Sequence, residues 1–393
     1  MLGSAENRSG EAAGASSIDG ARDSVLRDSV ARAVGAVRDP ELRRSLDELD
    51  MVRAVEVADG RASVTIALTI VGCPVADRIE ADVRDAAASV PAITGVDVTL
   101  GTMSPAERHA LTERLRGSRE MPFTAESLTR VIAVTSGKGG VGKSTVTANL
   151  AVALAARGLQ VGLIDADVHG FSIPGILGLV DAAGHATPPT RIDDLIVPPV
   201  AHGVKVISIG MFLRDEAAVA WRGPMLHRTV SQFLTDVHFG DLDVLLLDMP
   251  PGTGDIAISV GQLLPHADVV VVTTPQPAAA DVAVRSAAVA RQTGQRVIGV
   301  IENMAPLTLP DGQVLDLFGS GGGAAAAARL STDAEPVALL GSIPLDPAVR
   351  EAGDAGTPLA SGPGAEAIAR IAARIAEVPR GLAGRALRVT PER

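Results

Sequence analysis

The segment Gly137-Lys138-Gly139-Gly140-Val141-Gly142-Lys143-Ser144 constrains this chain more than any other. Half of its residues are glycines, which open backbone conformations that a Cβ would close. The apolar run Val131–Thr135 precedes it and a segment of helical character, Ser144–Arg157, follows, so the chain passes from a strand through a tight loop into a helix. The spacing Gly137-x4-Gly142-Lys143-Ser144 in that setting has the form of a phosphate-cradling loop. Backbone N–H groups turn inward toward phosphate oxygens, and the helix N-terminus adds its partial positive charge. Lys143 is placed for the β and γ phosphates and Ser144 for Mg²⁺, with Gly137, Lys138, Gly139, Gly140, Val141, Gly142 and Thr145 as further nucleotide contacts. Lys138 is surplus to this scheme. A second cation there can meet charge developing on the γ phosphate, as an arginine finger does, and donated across a dimer it would couple hydrolysis to association.

The sequence around the loop sets the fold. From Val131 to about Val378, short Val/Ile/Leu runs alternate with helical segments: 131–135, 161–165, 204–209, 244–248, 269–273, 297–302 and 337–340. Continuous apolar strands separated by helices mean a mostly parallel sheet covered on both faces, a doubly wound α/β domain. Leu245-Leu246-Leu247-Asp248 is an apolar strand ending in a carboxylate, as a Walker B strand does where it holds Mg²⁺, so Asp248 is the expected metal-side residue. Asp165 and Asp167 end another strand at the carboxyl edge where open α/β sheets bind ligands. One of the two is expected to position the attacking water.

A smaller α+β unit precedes this domain: a helix with Val25, Val30, Val34 and Val37, strands 52–57 and 62–70, a helix 75–88 and a strand 96–100. Ser104-Pro105-Ala106-Glu107 has the residues of a capping box, so a helix should follow to about Leu115. The expected organisation is a mobile tail (1–20), the small unit (21–103), a helix and linker (104–128), the phosphate-loop domain (129–379) and a second tail (380–393).

Composition narrows the function. A formal net charge of -11 opposes general nucleic-acid binding, and no apolar run is long enough to span a membrane. The single cysteine, Cys73, rules out an intrachain disulfide and agrees with a reducing, cytoplasmic setting. Ile368, Ile371, Ile375 and Val378 form an apolar stripe of helical spacing that could face a membrane or the domain's own core; the latter is expected, since the stripe is short, without aromatics and mixed in charge.

Taken together, Gly137–Ser144 with Lys138, Ile164-Asp165-Ala166-Asp167 and Asp248-Met249-Pro250-Pro251-Gly252-Thr253-Gly254-Asp255 resemble the deviant Walker A ATPases of the Mrp/ApbC group, which are iron-sulfur cluster carriers. The resemblance extends through Ile301-Glu302-Asn303-Met304 and Ser342-Ile343-Pro344-Leu345-Asp346, which places Asn303 and Pro344 near the adenine. It implies ATP and Mg²⁺ as ligands, slow ATP hydrolysis, and a homodimer enclosing two nucleotides. In it Lys138 is the signature lysine, Asp167 the water-positioning carboxylate and Asp248 the Walker B residue. The small unit is similar, through Asp39-Pro40-Glu41-Leu42 and Gly72-Cys73-Pro74, to the iron-sulfur-assembly domain fused to such ATPases, which implies assembly proteins and apoprotein clients as partners. One departure stands out. The group commonly carries Cys-x-x-Cys after Glu-Asn-Met, and 304–319 has no cysteine. A [4Fe-4S] cluster takes four thiolates, and this chain offers only Cys73. His169 is a second, weaker candidate for iron. The competing function is a MinD/ParA-like spatial regulator that binds a membrane or a partner surface, and its discriminating feature is the C-terminal stripe.

Overall fold

The computed structural model describes residues 10–116, 121–167, 170–212 and 223–377. The chain forms two units, Met1–Gly117 with Thr190–Val197, and Ser118–Pro189 with Pro198–Arg393.

In the small unit, helix α1 (Gly10–Gly35) is followed by strands β1 (Val52–Ala58) and β2 (Arg61–Leu68), helix α2 (Ala76–Ala88), strand β3 (Gly95–Thr102) and helix α3 (Pro105–Arg116). β1 and β2 pair antiparallel across Asp59-Gly60, both at positive φ, the conformation a two-residue turn matched to strand twist requires. β3 lies parallel to β2. Val64 and Ile66 of β2, Ile79 and Val83 of α2, and Val30 and Val34 of α1 are fully buried together. The capping box of α3 is formed: Ser104 N donates to Glu107 Oε2 at 2.7 Å, and Glu107 N to Ser104 Oγ at 3.3 Å. One expectation is corrected here. Residues 10–20 are the opening turns of α1 rather than a tail, as several alanines of high helix propensity allow; residues 1–9 lie outside the described residues.

The large unit begins with strand β4 (Arg130–Ser136), helix α4 (Lys143–Ala156), strand β5 (Val161–Asp165) and the short helix α5 (Ile173–Ile176). The chain then makes an excursion that its sequence pattern concealed. Strands β6 (Thr190–Ile192) and β7 (Leu195–Val197) form a hairpin that belongs to the small unit. Ile192, Leu195 and Val197 are only 1–2% exposed, within the same apolar cluster as Val64 and Ile79. Thr112 Oγ1 donates to Ile192 O at 3.4 Å, and Arg108 pairs with Asp193 at 3.7 Å.

The chain re-enters the large unit with β8 (Val200–Ala201) and β9 (Val204–Ser208), then α6 (Gly223–Thr235), β10 (Val244–Asp248), α7 (Asp255–Leu263), β11 (Asp268–Thr273) and α8 (Pro277–Gln292). It closes with β12 (Arg296–Ala305), the small hairpin β13 (Leu307–Thr308) and β14 (Val314–Leu315), α9 (Gly322–Leu330), β15 (Ala338–Pro344), α10 (Pro347–Asp354) and α11 (Pro363–Glu377). The sheet order is β15-β12-β11-β4-β10-β5-β9-β8, parallel except for the edge strand β8. Strands are added to one side of β4 and then to the other, which is the doubly wound pattern, and right-handed crossovers in opposite directions place helices on opposite faces. The reversal sets the carboxyl ends of β4, β5 and β10 side by side, with Asp248 in register with Asp165 and Val134.

At the opposite strand edge, Asp268 accepts from Arg130 Nε at 2.8 Å and from Arg296 Nη2 at 2.7 Å, and Arg130 Nη1 reaches the α11 carbonyl of Ile375 at 2.6 Å. Ile368, Ile371 and Ile375 are each 4% exposed or less, so these residues of the stripe pack within their own unit. Val378 and 380–393 lie outside the described residues. Among the described residues no helix is long and apolar enough to cross a membrane.

Glu41 is buried in the small unit, where it accepts from Thr190 Oγ1 at 3.1 Å. Burial first, then the charge of Asp39, pushes its carboxyl up to about 7, partly offset by the Thr190 bond. The folded state therefore retains a proton that the unfolded chain releases, and stability falls as pH rises from the usual glutamate range toward 7. Glu41→Gln is expected to remove that slope and to stabilise the small unit by on the order of 2 kcal/mol at about pH 8 while changing little at about pH 5. Urea unfolding followed by hydrogen exchange in β2 at both pH values measures it; an unchanged slope in the variant refutes the role of Glu41.

Candidate functional site

β4 delivers the chain to Gly137, and α4 carries it away from Lys143, so the loop lies at the carboxyl edge of the sheet against a helix N-terminus. Two of its glycines are fixed by packing. A Cβ on Gly137 would stand 2.3 Å from the Val282 carbonyl carbon of α8, and one on Gly142, at φ 77°, would stand 2.2 Å from Asn303 Nδ2. That amide donates to Val141 O at 2.9 Å, so Asn303 supports the loop from β12. Lys138, Gly139 and Gly140 are exposed, Ser144 and Thr145 half-buried, and Val141 and Lys143 buried. The loop offers open backbone on one side and a fixed lysine on the other.

Asp248 organises the interior. Fully buried at the end of β10, its Oδ2 accepts from Lys143 Nζ at 2.7 Å and Ser144 Oγ at 2.5 Å, and its Oδ1 from Thr147 Oγ1 at 2.8 Å. The lysine and hydroxyl expected to meet phosphate and Mg²⁺ thus converge on the expected Walker B carboxylate, and Ser144 with Asp248 forms a hard oxygen pair of the type Mg²⁺ takes. Thr147 was absent from the sequence expectations, although its place one turn beyond Lys143 on α4 could have indicated it.

Asp165 stands beside Asp248 in register. Burial, then the Asp248 charge, pushes its carboxyl up to about 8 against the hydrogen bonds from Ser208 and Asp167 and the charge of Lys143. Burial beside a second carboxylate thus disfavours the charged form of Asp165. Asp167 is buried, and its Oδ1 accepts from Gly170 N at 3.2 Å; His169 lies outside the described residues. Lys138 Nζ donates to Gln276 Oε1 at 3.3 Å.

The loop after Asp248 is held at Gly252. Its N–H donates to Ser136 O at 2.8 Å and its carbonyl accepts from Ser286 Oγ at 3.2 Å, while Ser286 is itself within 3.0 Å of Thr135 Oγ1. Gln276 and Ser286 carry no sequence motif and emerge only because α8 packs beside the loop. Pro344 ends β15, where Glu302 ties the neighbouring elements together by accepting from Ser342 Oγ at 3.1 Å and Gly323 N at 2.7 Å.

Cys73 belongs to the small unit and is buried. Burial raises its thiol pKa, the Val75 backbone opposes this, and the charges of Glu41 and Asp39 raise it further. Among the described residues no three His, Cys, Asp or Glu side chains are grouped to hold a metal ion. With one cysteine in the whole chain, a resident [4Fe-4S] cluster does not fit this chain's own residues.

Comparison with known proteins bears on both units. Residues 127–378 match the profile described as NUBPL iron-transfer P-loop NTPase, and residues 27–100 that of an iron-sulfur cluster assembly protein. The chain belongs to the NUBPL-type P-loop NTPase family. A relative from Mycobacterium tuberculosis, an iron-sulfur cluster carrier protein, is 52% identical over 386 residues, covering 96% of this chain and all of the relative. The iron-sulfur cluster carrier protein of Bacillus subtilis is 38% identical, covering 82% of this chain and 88% of the relative. Among solved structures, a nucleotide-binding protein from Archaeoglobus fulgidus in complex with ADP superposes with a TM-score of 0.51 at 35% identity, covering 62% of this chain and 96% of that one. The large mostly parallel sheet and the small preceding unit are those of a NUBPL-type P-loop NTPase carrying an assembly domain.

Lys143 is paired with Asp248, and removing one partner of a buried pair leaves the other uncompensated. Asp248→Asn is expected to destabilise the nucleotide-free protein by about 2–4 kcal/mol. ADP without Mg²⁺ should then raise the melting temperature of the variant more than that of wild type, since phosphate supplies the charge Lys143 has lost. Thermal unfolding in EDTA with and without ADP measures this; an equal ADP shift in both proteins contradicts it.

Proposed function

We propose that this chain binds and slowly hydrolyses ATP with Mg²⁺, and that a nucleotide-gated homodimer of it delivers iron-sulfur clusters to apoproteins or helps to load them. One observation carries the proposal: Lys143, Ser144 and Thr147 of the phosphate loop and its helix converge on Asp248 at the sheet's carboxyl edge. In this reading the backbone N–H groups of 137–145 cradle the phosphates and Lys143 moves from Asp248 to the β and γ oxygens. Ser144 and Asp248 hold Mg²⁺, which neutralises phosphate charge when bound. Asp167 orients the water that attacks the γ phosphorus. The bond to the β,γ-bridging oxygen breaks as ADP and phosphate form, with a proton passing to solvent. Lys138, exposed on the loop, acts on the nucleotide of the other protomer. Asn303 and Pro344 are assigned to the base, with Asn303 also stiffening the loop through its bond to Val141 O.

The cluster is cargo. Cys73 supplies this chain's one thiolate toward it, and the remaining ligands come from a second copy and from assembly proteins or clients. The reading as a spatial regulator is not favoured, because the apolar stripe it would need for a membrane is buried at Ile368, Ile371 and Ile375.

Lys143→Ala is expected to abolish ATP binding, whereas Lys138→Ala should bind ATP normally and hydrolyse it at least about 100-fold more slowly. Binding of a fluorescent ATP analogue and phosphate release separate the two, and equal hydrolysis by Lys138→Ala and wild type would remove the role given to Lys138. For the cargo, anaerobic reconstitution with iron and sulfide should leave visible-absorbing iron on wild type and less on Cys73→Ala. Loss of all iron from both proteins, with and without ATP, would exclude carriage and leave an ATP-driven assembly role.

A further inference from the structure

The excursion between β5 and β9 joins two sites that the sequence treats separately. It leaves the nucleotide site after Asp165 and returns at Ser208, whose Oγ donates to Asp165 Oδ2 at 3.0 Å, so the segment starts and ends on one buried hydrogen bond. Its first residues include Asp167. Midway, the β6–β7 hairpin is built into the core of the small unit, where Ile192, Leu195 and Val197 share an apolar cluster with Leu42, Leu46 and Cys73. Thr190 Oγ1 donates there to the buried Glu41, which follows Asp39-Pro40 directly in sequence. The two transits are equally distinctive. Pro188-Pro189 leads into the hairpin and Pro198-Pro199 leads out of it. Consecutive prolines fix φ, favour extended backbone and have no N–H to exchange partners, so each junction with the hairpin is a stiff step, and on the return side Pro198-Pro199 passes directly into β8 and β9.

A loop that merely connected β5 to β9 would need neither a buried apolar hairpin in the other unit nor proline pairs on both sides of it. We propose that the Thr190–Val197 hairpin is the transmission element through which nucleotide occupancy at Asp165–Asp167 alters the Glu41–Cys73 region of the small unit. The inference rests on the reading that the loop at 137–144 binds ATP. Displacement at the Asp165–Ser208 bond is passed through β9, β8 and Pro198-Pro199 to a hairpin that cannot slip without exposing Ile192, Leu195 and Val197. The small unit yields instead, at the Thr190–Glu41 bond and the cluster around Cys73. The Cys73 thiol thereby becomes more or less available according to the nucleotide bound.

The test uses the full-length protein and the rate at which N-ethylmaleimide alkylates Cys73, with no nucleotide, with Mg-ADP and with a non-hydrolysable Mg-ATP analogue. Binding of a fluorescent ATP analogue is measured in parallel. In wild type the Mg-ATP analogue should change the alkylation rate about fivefold or more relative to the empty protein. Two variants address the transmission. In the first, Pro188→Gly, Pro189→Ser, Pro198→Gly and Pro199→Ser soften both transits and leave the hairpin intact. In the second, Thr190→Val removes only the bond to Glu41. Neither alters a residue assigned to the nucleotide, so both should bind the analogue as wild type does. Loss of the nucleotide effect on Cys73 in either variant supports the inference, and its persistence in both overturns it. A wild type that binds nucleotide with an unchanged Cys73 rate overturns the inference alone, whereas a wild type that binds no nucleotide overturns the underlying reading and this inference with it.

Discussion

A single buried carboxylate, Asp248, organises the carboxyl edge of the larger unit's sheet. Three donors from the loop and its helix end on its two oxygens, and its own strand lies between the strands that carry the loop and Asp165. A buried ion pair contributes little net stability, because desolvation of both charges offsets their attraction. The Lys143–Asp248 pair is therefore better understood as a holding arrangement. It holds a buried lysine in position at the start of the helix, and in the proposed function each partner is exchanged for a stronger one when phosphate and a cation arrive. The raised carboxyl of Asp165 fits the same scheme, since burial and the neighbouring Asp248 charge both disfavour a further anion there.

How much of this was legible in the sequence varied with the range of the interaction. The phosphate loop could be read because its chemistry is local: glycines, lysine and serine at fixed spacing between a strand and a helix. The parallel strands were equally readable, since strands buried on both faces are continuous in Val, Ile and Leu. Their ends extend a few residues past the apolar runs, as at β12, where Asn303–Ala305 continue the pairing in a polar and irregular stretch that backs the loop. Thr147, Ser286 and Gln276 stayed hidden because a lone hydroxyl or amide carries no signal until the fold brings it to a carboxylate, a carbonyl or a lysine.

The hairpin at 190–197 was hidden for a different reason. Its three-residue strands are below the length at which alternation can be recognised, and its charged turn at Asp193-Asp194 resembles a surface loop. Sequence order assigned it to the larger unit, whereas burial assigns it to the smaller. The proline pairs on either side were the available clue, since a segment framed twice by residues that cannot join a sheet is being kept apart from the sheet it interrupts.

The two lysines of the loop show how nearly adjacent residues come to sit in different settings. Lys143 is buried, ion-paired and fixed by the first turn of α4, so its position is determined before any ligand arrives. Lys138 is exposed and has one long bond to Gln276 in a flexible amide side chain, so little energy opposes its moving elsewhere. A cation that must act within its own site gains from being preorganised, whereas one that must reach a second molecule gains from being loosely held. That contrast supports the proposal that Lys143 serves binding and Lys138 a step taken only after two copies meet. With a single cysteine in the chain, the same logic applies to the proposed cargo: a cluster that one copy cannot coordinate alone would be completed by contacts made in an assembled state.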